Sequence, residues 1–96
     1  MQLKWTDPAV DDLDHIEQYI TENNSTTVAI DIVLNVLDST EKILSNHPYA
    51  GRIGRVKDTR ELVIDGIPFT VIYRVKLSDI QVLRVLHDAQ QWPREQ

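Results

Sequence analysis

Apolar residues recur at Val10, Leu13, Ile16 and Ile20, with Asp11, Asp12, Asp14 and Glu17 among them. That spacing predicts an amphipathic helix. Thr6 or Asp7 can cap it, and Pro8 suits its first turn, where no amide hydrogen is needed. The early carboxylates favour the helix dipole. Asn23-Asn24-Ser25 breaks the pattern and can cap a second helix. From Thr27, the residues Ala29, Ile32/Val33, Val36/Leu37 and Ile43/Leu44 form a longer stripe. Asn46-His47-Pro48 stops it, because the residue before a proline avoids helical backbone. So short a link predicts an antiparallel helix pair.

The period then changes from helix to strand. Gln2–Trp5 is a short strand candidate ahead of the helices, and Thr59–Ile64, Phe69–Lys76 and Ile80–His87 are strand candidates after them. Asp65-Gly66 is a hairpin signal, with Pro68 tightening the exit, and Leu77-Ser78-Asp79 is a second tight connection. The expected fold is α+β in the order β-α-α-β-β-β: an antiparallel helical hairpin packed on a small curved antiparallel sheet. Residues 1–96 are expected to form one domain, with the first strand and helical hairpin in 1–50 and the sheet and tail in 51–96.

Charge sharpens that division. Residues 1–50 hold nine Asp/Glu against Lys4 and Lys42, whereas residues 51–96 hold eight Lys/Arg against six Asp/Glu. With a net charge of −5, a strong global attraction to nucleic acid is not expected, and the charge balance leaves room for a local basic site. The chain has no cysteine, which excludes disulfides and thiolate metal sites and fits a reducing cytoplasm. Its first residues lack a signal-peptide pattern, and no apolar run is long enough for a membrane span. Asp11 and His15 have a metal-ligand spacing, but no second pair accompanies them, so no metal or cofactor is expected.

Five segments in order carry a resemblance over essentially the whole chain: Gly51-Arg52…Gly54-Arg55, Thr59-Arg60-Glu61-Leu62, Val71-Ile72-Tyr73-Arg74-Val75, Leu83-Arg84-Val85-Leu86-His87 and Trp92-Pro93. The chain resembles the RelE/ParE superfamily of bacterial toxins. The Tyr-Arg-Val…Arg-Val-Leu-His pattern looks closer to ParE-like chains. The resemblance implies a cytoplasmic toxin in a hetero-oligomer with a cognate antitoxin, reaching DNA only through that antitoxin and acting on DNA gyrase. A RelE-like member would instead cleave mRNA on the ribosome. A third reading is a toxin-fold protein that has lost toxicity and serves only in autorepression with its antitoxin.

RNA cleavage through the 2′-oxygen needs a base, an acid and cations for the phosphate. Arg60, Arg84 and His87 are the candidates if the chain is RelE-like. Strand parity sets Arg84 and His87 on opposite faces. It groups Arg74, Glu61 and Arg84 on one face, as a cross-strand ion-pair set, with His87 on the other beside Leu83 and Tyr73. Arg52, Arg55 and Lys57 lie near Arg60 in sequence and are candidates for target or partner contact, as is Trp92 beyond the last strand. Trp5 is expected in core or strand-edge packing. Val28, Ile32 and Asn35, read as lying off the main stripe of the second helix, are the expected antitoxin contact.

Overall fold

The computed structural model describes residues 1–87, so Trp92 lies outside the described residues. The elements are β1 (Gln2–Trp5), α1 (Asp7–Asn23), α2 (Thr26–Asn46), β2 (Arg52–Ile53), β3 (Arg60–Val63), β4 (Phe69–Val75) and β5 (Asp79–His87). The sheet order is β1-β5-β4-β3-β2. Strands β2 to β5 are antiparallel, as expected, while β1 joins the edge parallel to β5, with Gln2 opposite Asp79 and Trp5 opposite Val82. The helical hairpin supplies the crossover that separates β1 from the later strands.

The helix signals act as expected with one exception. Ser25 caps α2, its hydroxyl accepting from the Val28 N–H at 3.2 Å. Thr6 occupies the N-cap of α1 but makes no side-chain cap. Its hydroxyl turns toward the sheet and donates to Val82 O at 2.8 Å. The tertiary bond therefore displaces the local one and ties the start of α1 to β5.

Ala9, Leu13 and Ile20 of α1 and Ala29, Val36 and Leu44 of α2 share one buried cluster with Leu62, Phe69, Val71, Tyr73, Ile80, Val82 and Val85. Trp5 packs against this cluster, as expected. Burying each large aliphatic side chain contributes about 1.5–3 kcal/mol, so this layer is the main source of stability. Ile72 and Leu86 have the other strand parity and stand outside that cluster, yet they too are buried.

Two turns set the register. Ile64 N–H donates to Phe69 O, and Val63 pairs with Thr70, so the Asp65-Gly66 hairpin spans 65–68, with Gly66 at φ 83°. At the next turn Val75 pairs with Ile80, one step from the expected Lys76–Ile80 pairing. An irregularity at Ile72/Tyr73 restores the offset: Tyr73 faces Val82, Ile72 faces Arg84, and Leu83 is the extra residue of β5.

Candidate functional site

The α2–β2 link, 47–51, is held by two side chains from adjacent strands. Arg60 and Tyr73 are direct cross-strand partners. The Tyr73 hydroxyl donates to Pro48 O at 2.8 Å and accepts from the Gly51 N–H at 2.9 Å. Arg60 Nη1 donates to Gly51 O at 2.8 Å and to Tyr49 O at 3.3 Å. Its guanidinium also lies 4.9 Å from the centroid of the Tyr49 ring, a cation–π distance. Burial raises the Tyr73 phenol above its ordinary pKa, against the lowering effects of the Gly51 hydrogen bond and the Arg60 charge. It is therefore the neutral phenol that supports the link.

Gly51 is required by packing. A Cβ there would sit 2.7 Å from Tyr73 Cε1 and 2.9 Å from Glu61 O, closer than real contacts allow. This fixed link delivers β2 to its place beside β3. Tyr49 is left exposed at one end, next to a shallow depression lined by Asn46, His47, Pro48 and Ala50.

Beyond the link stands the basic edge. Arg52 Nε and Nη2 donate to Glu61 Oε1 at 3.1 and 3.0 Å, and the Arg55 N–H donates to Oε2 at 3.3 Å. Glu61 is buried, while the Arg52 side chain is 68% exposed. The carboxylate thus orders two successive basic residues without covering them. Arg55 and Lys57 are exposed and, among the described residues, neither side chain has an ion-pair partner. The expected contact residues Arg52, Arg55 and Lys57 therefore gather at one end of the sheet, with Arg60 behind them. Ile53, which sequence reasoning passed over, is 80% exposed among them.

The expected ion-pair group does not assemble. Glu61, Ile72 and Arg84 occupy one register row, as parity predicted, but each charge takes a different partner. Glu61 binds Arg52, Arg74 donates to Gln81 Oε1 at 2.8 Å, and Arg84 pairs with Asp12. The Arg84–Asp12 contact is bidentate at 2.7 and 2.9 Å, and the Val85 N–H donates to the same carboxylate at 2.9 Å. The reason is topological. Pairing with β1 ends at Val82, so the β5 edge beyond it is open to α1, and Asp12 satisfies it. Asp12, read from sequence as an early-turn carboxylate that favours the helix dipole, is also a structural residue that ties α1 to β5. The hydrogen bond it accepts is the leading cause of a raised Arg84 pKa, ahead of burial, which lowers it, and of the Asp12 charge, which adds to the rise, so the guanidinium stays protonated.

Arg60, Arg84 and His87 do not converge either. Along β4 they face Tyr73, Ile72 and Phe69 respectively. Arg84 therefore has the opposite parity to the other two. Tyr73 and Phe69 are four steps apart, roughly 13 Å along the strand. His87 stacks edge-on against Phe69, at 5.5 Å between centroids. On α2, Val28 and Asn35 are exposed, whereas Ile32 packs against the core. The apolar residues most exposed on that helix are Ile30 and Leu34, on a flank that the stripe reading did not separate.

Comparison with known proteins places this geometry. Residues 3–92 match the family model described as the ParE toxin of the type II toxin–antitoxin system, parDE. A protein of Sinorhizobium fredii named "Putative toxin Y4kP" is 38% identical over 97% of this chain and 94% of its own length. A chain of the chromosomal ParDE TA system from P. aeruginosa superposes with a TM-score of 0.83 at 31% identity, over 91% of this chain and 95% of its own. The match runs through the helical hairpin and the basic edge alike, and this chain belongs to the ParE toxin family of type II toxin–antitoxin systems.

Proposed function

We propose that this chain is the toxin of a type II module, neutralised by a cognate antitoxin, and that it inhibits DNA gyrase by protein contact. The observation that carries the choice of target is the separation of Arg60, Arg84 and His87 across two faces and along β4. A nuclease centre requires its base and cations within hydrogen-bond reach of one phosphate. Here the Arg84 guanidinium is already held by Asp12, and Arg60 binds the α2–β2 link. The contact surface is the end of the sheet bearing Arg52, Arg55 and Lys57, with Trp92 of the tail as a further contact residue. The antitoxin binds the helical hairpin, at the flank of α2 carrying Val28 and Asn35, with Ile32 beneath them. An acidic helical face suits a partner segment with basic character.

The test is a supercoiling and DNA-cleavage assay with purified gyrase, with and without ATP. Inhibition or trapped double-strand breaks would support the reading. Cleavage of ribosome-bound mRNA that is lost in His87→Ala, with gyrase untouched, would replace it with the RelE-like activity.

A further inference from the structure

Strand β2 has no described neighbour on its outer side, and its hydrogen-bond phase decides what that edge offers. Bonded and unbonded residue pairs alternate in an antiparallel ladder. The Gly54 N–H donates to Thr59 O at 2.8 Å, which makes that pair a bonded one. Counting back through the register, Ile53–Arg60 is then unbonded and Arg52–Glu61 bonded. The Ile53 N–H and C=O therefore point away from β3, into the open edge, and the Ile53 side chain is itself 80% exposed. An open edge is ordinarily a hazard that proteins blunt with charge and shortness. This one is short, yet it joins an outward donor–acceptor pair to an exposed apolar side chain.

Its surroundings select the occupant. Residues 51–61 hold Arg52, Arg55, Lys57 and Arg60 against Asp58 and Glu61, in a chain of net charge −5. Glu61 is committed to Arg52 and the Arg55 N–H. Arg55 and Lys57 have no ion-pair partner among the described residues. We infer that β2 receives an extended acidic segment of a protein partner by strand addition. The partner's backbone pairs with the N–H and C=O of Ile53, and its carboxylates meet Arg55 and Lys57. Backbone pairing gives affinity in this mode, and the flanking side chains give selectivity. The inference rests on the reading of this edge as the target-contact surface and adds the chemistry of what docks there.

The test uses the full chain and a short labelled peptide alternating Glu with Val, with a Lys-for-Glu peptide and a single-stranded oligonucleotide as competitors. Fluorescence anisotropy is expected to show binding of the acidic peptide only, and amide exchange to show protection of Ile53 when it binds. Ile53→Pro deletes the outward N–H and leaves the β3 ladder intact, since edge positions of this phase accept proline. It should weaken binding about tenfold or more, as should Arg55→Glu with Lys57→Glu. Ile53→Ala keeps the N–H and should bind more tightly than Ile53→Pro, a difference that does not depend on either variant matching wild-type stability. Equal binding by Ile53→Pro and Ile53→Ala, an unprotected Ile53 amide, or displacement by the oligonucleotide in preference to the acidic peptide would overturn strand addition. Gyrase inhibition is read in parallel. If wild type fails to inhibit gyrase, the target reading falls while the peptide data still decide the edge. If gyrase is inhibited equally by wild type and Ile53→Pro, the edge inference alone falls.

Discussion

Tyr73 uses one oxygen twice, donating to Pro48 O and accepting from the Gly51 N–H. Removing that oxygen leaves a buried donor and a part-buried acceptor unmatched, so Tyr73→Phe should cost about 1–3 kcal/mol in urea unfolding. The same residue gives a pH signature. Its folded pKa is raised, chiefly by burial, above the ordinary phenol value near 10. A phenol kept neutral by the fold contributes stability that is fully present below the unfolded pKa. That contribution is lost as pH rises through the higher folded value. Stability should therefore fall above about pH 10, and Tyr73→Phe should flatten that alkaline fall; parallel urea titrations from neutral to alkaline pH would check it. Thr40 presents the opposite case. It is fully buried in α2, and its hydroxyl has no hydrogen-bond partner among the described residues. Thr40→Val keeps the shape and removes the unmatched group, so a gain of about 1 kcal/mol is expected, seen as a higher urea midpoint at unchanged slope.

At the scale of elements, α1 is joined to β5 by polar contacts as well as packing: Thr6 onto Val82 and Asp12 onto Arg84 and Val85. Arg84 is 31% exposed and Asp12 13% by side chain, so water screens the pair only in part. Asp12→Ala removes both guanidinium contacts to α1 and leaves the Val85 N–H unmatched, and it should cost about 2–3 kcal/mol. Amide exchange at Val85 should accelerate with it. Both helices, their stops and four of the five described sheet strands could be read from the sequence because each rests on local chemistry: apolar spacing, Ser25 as a cap, Pro48 as a stop, Asp65-Gly66 as a turn. The parity rule also gave the correct face for Glu61 and Arg84. What it could not give was which partner each charge meets. Asp12 lies 72 residues from Arg84 in sequence, and nothing near either residue announces the pairing. The Leu83 bulge was equally hidden, since leucine in a strand has no signature of irregularity. Ile53 went unnoticed because a two-residue strand is too short to show a period.

Across the whole molecule, charge is segregated. The helical hairpin carries the whole acidic excess, while Arg52, Arg55 and Lys57 stand at the far edge of the sheet from β1. Two partners of opposite chemistry can then use separate surfaces, and substitutions on one should leave the other unaffected. The choice of residue matters for testing this. Ile32 packs against the core, so a charge there would disturb the fold as well as any interface. Val28 is 41% exposed at the start of α2 and avoids that confusion. Val28→Asp should weaken capture of the cognate antitoxin by about tenfold or more while leaving gyrase inhibition at wild-type strength. Arg55→Glu with Lys57→Glu should do the reverse. Because exposed charges are screened beyond about 10 Å at 0.1 M salt, both interactions should weaken as salt rises, and Arg55→Glu with Lys57→Glu should flatten the salt dependence of gyrase inhibition while leaving that of antitoxin capture unchanged. Flattening of both salt dependences by that pair of substitutions, or a Val28→Asp protein that loses both activities while still folded, would mean that the two partners share one surface.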